Sequence, residues 1–113
     1  MKNVIWSLTV LGLLGFAHTA SAQDSGAKVF SEHGCPMCHS IAGKGNVKGP
    51  LDDVGTKLTP AEIRGWITDP AASAAKAKAE RKPAMATMQA KFKDMSKPDL
   101  DDLVAYLASQ KKK

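Results

Sequence analysis

Two cysteines and a histidine fall together in Cys35-Pro36-Met37-Cys38-His39, and the chain has no other cysteine. The C-x-x-C-H spacing is that of covalent haem c attachment. Each thiol can form a thioether to a vinyl group on one edge of the porphyrin. The adjacent imidazole is then carried under the ring centre as the proximal iron ligand. Other chemistries use the same residue types. A redox dithiol expects a βαβ setting, and the chain has no Val/Ile-rich runs to build one. Half a zinc site needs a second Cys or His pair at ligand spacing, whereas the other histidines, His18 and His33, are single. A structural disulfide suits an exported protein, but a bridge across two residues closes almost no loop. Haem attachment uses both thiols and the histidine at once.

The start of the chain bears on the compartment. Residues 1–22 have the layout of a secretory signal peptide, with Lys2 as the positive n-region, a largely apolar stretch from Val4 to Phe16, and Ala20-Ser21-Ala22 as a small-residue cleavage site. The apolar run to Ala17 is shorter than the ~20 residues of a spanning helix. Cleavage after Ala22 and residence in a periplasm are therefore expected, with no stable membrane insertion afterwards. Export also agrees with covalent haem assembly, which follows translocation. Residues 23–113 would then form one domain, small enough that a large apolar prosthetic group would supply part of its core.

Removing residues 1–22 takes away Lys2 alone and lowers the formal net charge from +5 to +4. That excess suits a basic surface and acidic protein partners. Much of it lies in Lys111-Lys112-Lys113, expected to be a frayed, solvated end.

The positioning elements are helical. Ser25 can cap a first helix running to about Glu32, with Val29 and Phe30 on its buried side and Gly34 as its stop. Residues 40–57, punctuated by Gly43, Gly45, Gly49, Pro50 and Gly55, are expected to be loop. Thr59-Pro60-Ala61-Glu62 has the form of a capping box with proline at the first helical position. The helix it opens carries Ile63, Trp66 and Ile67 and ends at Asp69-Pro70. Residues 71–82, rich in Ala and Lys, predict a surface helix. Ser96 caps a last helix in which Leu100, Leu103, Val104 and Leu107 recur at helical spacing. The fold class is thus all-α, with about four helices.

Taken together, these pieces resemble a small class I c-type cytochrome over residues 24–110. The resemblance rests on Gly26 to Phe30, the Cys35–His39 motif, Gly49-Pro50-Leu51, Trp66 with Asp69-Pro70, a methionine-bearing loop, and Leu103-Val104-Ala105-Tyr106-Leu107. It implies N- and C-terminal helices that cross beside one covalently attached haem, with Gly26 at the close approach and Phe30 near Leu103 and Tyr106. It also implies that the Pro50 carbonyl accepts the Nδ1–H of His39, and that Trp66 either contacts the haem or packs in the core. Met95 takes the place of a core leucine.

The family's sixth ligand is a methionine sulfur from a loop before the last helix. Met88 lies 18 residues before Tyr106 and Met85 lies 21 before it. Family spacing favours Met88, while the Lys82-Pro83-Ala84-Met85 context favours Met85. Met88 is taken as the ligand and Met85 as the alternative. The implied function is one-electron transfer between redox proteins with acidic docking faces, by a monomer that is not itself an enzyme and has no nucleic-acid partner. Two alternatives stand beside it: a haem protein with an open sixth site that binds ligands or acts as a peroxidase, and a cytochrome subunit of a larger oxidoreductase.

Overall fold

The computed structural model describes residues 19–78 and 84–112. Residues 1–18 of the signal peptide expected over 1–22, and the Lys82-Pro83 context beside Met85, lie outside them. Six α-helices occur among the described residues: α1 (Thr19–Glu32), α2 (Val54–Lys57), α3 (Pro60–Thr68), α4 (Pro70–Lys76), α5 (Gln89–Lys93) and α6 (Lys97–Ala108). Cys35–Met37 and Ala84–Met88 form 3₁₀ turns. Strands β1 (Ser40–Ile41) and β2 (Lys44–Gly45) make a minimal antiparallel hairpin.

Helix α1 begins at Thr19, not at Ser25. Ala20 and Ala22 favour the helical backbone, so Ser25 falls inside the helix and caps nothing. The expected stop is met, since Gly34 takes the left-handed conformation at φ 72°, which glycine adopts without steric cost.

Residues 40–57, expected to be loop throughout, hold both strands and α2. The hairpin turns through Ala42 and Gly43, both at positive φ, the combination that matches the twist of a two-residue connection.

The capping box is present in full. Thr59 Oγ1 accepts from the Glu62 N–H at 3.2 Å, and Glu62 Oε2 accepts from the Thr59 N–H at 2.7 Å. Asp69 closes α3 and caps α4, its Oδ1 accepting from the Ala72 N–H at 3.1 Å. Helix α4 is mostly exposed, with Pro70 and Ala74 buried. It ends at Lys76, short of the expected residue 82, and Lys78 turns left-handed just beyond it.

Val29 and Phe30 of α1, Ile63 and Ile67 of α3, Phe92 of α5, and Leu103, Val104 and Leu107 of α6 bury together with Ile41. The apolar stripe read from the last helix therefore faces the core, with Leu100 at its edge. Helices α1 and α6 make the most extensive contact between elements. A Cβ at Gly26 would stand 2.3 Å from Tyr106 Cβ and 2.4 Å from the Asp102 carbonyl oxygen, so only a residue without a side chain permits this approach. Next to it, the Phe30 and Tyr106 rings meet edge-on with centroids 6.0 Å apart, a geometry that adds to the burial energy.

Lys111 and Lys112 are exposed, as expected of a solvated end, but the segment is bonded to the fold as far as Lys112, and Lys113 lies outside the described residues. The Gly55 N–H donates to the Gln110 carbonyl at 2.8 Å, and the Lys112 N–H donates to Asp53 Oδ1 at 2.9 Å. These bonds use the backbone of Gln110 and Lys112, so they cost the exposed ammonium groups none of their solvation.

Candidate haem-binding site

Helix α1 delivers the chain to Gly34, and the 3₁₀ turn that follows carries the C-x-x-C-H motif. The Cys35 carbonyl accepts from the N–H groups of both Cys38 (3.1 Å) and His39 (3.0 Å). This folds the two thiols and the imidazole into one turn. Cys35 is half-buried and Cys38 exposed, and they are not joined to each other. Burial pushes the Cys35 thiol above its ordinary range, and the Lys91 ammonium partly opposes that rise. Lys91 also reaches close to Gly34, so the segment containing α5 flanks the motif.

His39 is oriented by a carbonyl, but not by the one the resemblance implied. Its Nδ1 lies 3.0 Å from the Gly49 oxygen, one residue before Pro50. The reason is backbone alternation. Ser40 and Pro50 form a parallel bridge in which the Ser40 N–H donates to Gly49 O at 3.1 Å and the Leu51 N–H donates to Ser40 O at 2.8 Å. The residues on either side of Pro50 therefore face the motif, while Pro50's own carbonyl points away. Gly49 must come very close: a Cβ there would stand 2.2 Å from the Cys38 carbonyl oxygen and 3.1 Å from His39 Nδ1.

A cleft of about 810 Å³ opens beside this loop, with Pro50, Leu51, Val54, Leu58 and Trp66 as its apolar walls and Asp52, Asp53, Lys57 and the segment from Gln110 to Lys112 at its polar side. Pro50 and Trp66 thus meet at one cleft. Cys35, Cys38 and His39 lie outside its lining, and Pro50, the residue after the Gly49 acceptor, is the lining residue next to the histidine's hydrogen-bond partner. The two candidate methionines differ in their surroundings. Met85 packs against the core cluster, as does Met95, whereas Met88 is 36% exposed.

These residues fit a covalently held haem. A protonated Nδ1 bonded to a carbonyl leaves Nε2 with its lone pair for a metal. The thiols are unpaired, and the neighbouring cleft is largely apolar. The half zinc site finds no complement, since no group of three or more His, Cys, Asp or Glu comes together among the described residues.

Fold and site together define a small all-α domain of the haem-attachment class. The chain belongs to the cytochrome c family, whose model matches residues 23–111. Members of this family bind haem c covalently and use it for electron transfer. The chain is also similar to cytochrome c oxidase subunit 2 of Alkalihalophilus pseudofirmus, with 28% identity over 102 residues. That match covers 82% of this chain but only 27% of the relative's length. No solved structure matches the chain. Among the described residues, no helix is long and apolar enough to cross a membrane.

The Gly49 acceptor and the short elements α2 and α5 escaped the sequence reading. Gly49 was visible as a glycine beside a proline, but only the register of the Ser40–Pro50 bridge decides which carbonyl faces the histidine.

Proposed function

We propose that this protein is a periplasmic one-electron carrier with haem c attached through Cys35 and Cys38 and ligated by His39 and Met88. When bound, the haem supplies the one-electron couple between ferrous and ferric iron. His39 is held in one tautomer by Gly49. The Met88 thioether, a soft ligand, favours the reduced state, and the apolar walls of Leu51, Leu58 and Trp66 disfavour the extra ferric charge. The observation that carries this reading is the His39–Gly49 hydrogen bond beside two unpaired thiols in one turn. Met88 is preferred over Met85 because Met85 is already engaged in core packing. The net positive charge supports transient docking on acidic faces of redox partners, an encounter that weakens as salt rises. Residues 1–22 would direct export and be removed.

A second reading has its own support. The similarity to an oxidase subunit favours a cytochrome domain that works as part of a larger oxidoreductase. Copurification of the tagged protein with a stable partner separates the two.

Visible spectra of the haem-loaded protein, oxidised and reduced, test the ligand assignment. The far-red band of methionine-ligated ferric haem is expected in wild type and in Met85→Ala, and is expected to vanish in Met88→Ala. Loss in Met85→Ala alone would transfer the ligand role to Met85. A high-spin wild type that shifts with carbon monoxide would overturn the carrier reading.

A further inference from the structure

Asn46 follows β2 on the exposed surface, yet it links the two segments that define the histidine's setting. In the motif turn the Cys35 carbonyl is taken by Cys38 and His39, which leaves the carbonyls of Pro36 and Met37 at the end of a 3₁₀ turn without helical partners. Asn46 takes both. Its backbone N–H is shared between Pro36 O at 3.0 Å and His39 O at 3.1 Å, and its Nδ2 donates to Met37 O at 3.2 Å. On the other side, its Oδ1 accepts from the Lys48 N–H at 3.0 Å and its carbonyl accepts from the Gly49 N–H at 3.1 Å. These two bonds close the turn that carries Gly49, whose carbonyl receives His39 Nδ1.

We infer that Asn46 is a positioning residue for His39: it clamps the motif turn to the Asn46–Gly49 turn and so fixes the Gly49 carbonyl against Nδ1. The inference rests on the haem reading above. A well-aligned Nδ1–H···O bond raises the basicity of a ligating imidazole, and a more basic ligand favours ferric iron. Loosening the turn weakens that bond and shifts the balance towards ferrous.

The test compares haem-loaded wild type with Asn46→Ala, Asn46→Ser and Thr59→Ala. Alanine removes both side-chain bonds. Serine can keep the turn by accepting from the Lys48 N–H, but it is too short to reach Met37. Thr59→Ala loses a helix cap elsewhere and controls for stability alone. At an ambient potential poised on the wild-type midpoint, Asn46→Ala is expected to raise the ferrous-to-ferric ratio by about threefold to fivefold, as the loss of one hydrogen bond would. Exchange of the His39 Nδ1 proton, followed by NMR, should speed up in parallel. Asn46→Ser should fall between wild type and Asn46→Ala, and Thr59→Ala should move neither reading. If both Asn46 variants lower the melting temperature while ratio and exchange stay at wild-type values, Asn46 is merely structural and the inference fails. A wild-type chain that takes up no haem overturns the functional reading together with this one.

Discussion

The close approach of α1 to α6 at Gly26 can be tested with a single carbon atom. In Gly26→Ala the new Cβ would stand 2.3 Å from Tyr106 Cβ and 2.4 Å from Asp102 O, where non-bonded carbon contacts normally relax to ~3.5–4.0 Å. The helices must separate by roughly 1 Å or more. Overpacking of this kind costs about 1–3 kcal/mol, against which alanine in place of glycine returns about 0.5–1 kcal/mol of helix propensity. The upper end applies because one obstructing atom is a backbone oxygen that no rotamer change can move. The net loss is about 2 kcal/mol. For a domain of this size that lowers the melting temperature by roughly 8–16 °C, read as thermal unfolding of the haem-loaded protein by circular dichroism. Gly65→Ala in α3 is the matched control. Its Cβ would meet only Ser73 Oγ, at 3.0 Å, and a hydroxyl can rotate away. That variant should stay within about 0.5 kcal/mol of wild type or gain stability. If the two alanine variants melt together, the argument from close approach is wrong.

Two further predictions concern local electrostatics and capping. Thr59→Ala removes the acceptor for the Glu62 N–H and should cost about 1 kcal/mol, seen as a lower urea midpoint with unchanged slope; a changed slope would mean that more than the cap was disturbed. The second concerns acid stability: hydrogen bonds from Lys97 and then Arg64 hold the Asp101 carboxyl below its ordinary range. A depressed folded value contributes stability above the unfolded pKa of about 3.9, and that contribution is lost as pH falls through the lower folded value. Asp101→Asn should therefore flatten the acid limb of the stability profile, and a limb that superimposes on wild type would discount the pair.

How far the sequence disclosed this arrangement depended on the range of the interactions. The Thr59–Glu62 box and the Ser96 cap were legible because each acts across three residues and its residue types leave few alternatives. The α6 stripe was legible because four apolar residues recur at one period. Helix α5 was not, since Phe92 is its only buried residue and a single apolar position has no period. The hairpin at residues 40–45 is two residues per strand, too short for alternation to register. The onset of α1 was misplaced because a competent cap residue, Ser25, sits inside a sequence that is already helical. At the site, the motif residues were plain from their spacing. The Gly49 acceptor was not, because a one-residue shift in a parallel bridge exchanges which carbonyls face the histidine.

The pairing of α1 with α6 also sets an order of events. Val29 and Phe30 share the core with Leu103, Val104 and Leu107 of α6, the helix that α1 contacts most extensively. Without that segment the N-terminal helix lacks its main packing surface, and an isolated helix of 14 residues is marginal in water. The motif turn following α1 is consequently held only as firmly as α1 is held by α6. Helix α6 is thus both one wall of the core and the surface that must be in place before the turn carrying Cys35, Cys38 and His39 is anchored, although Cys38 itself stays exposed.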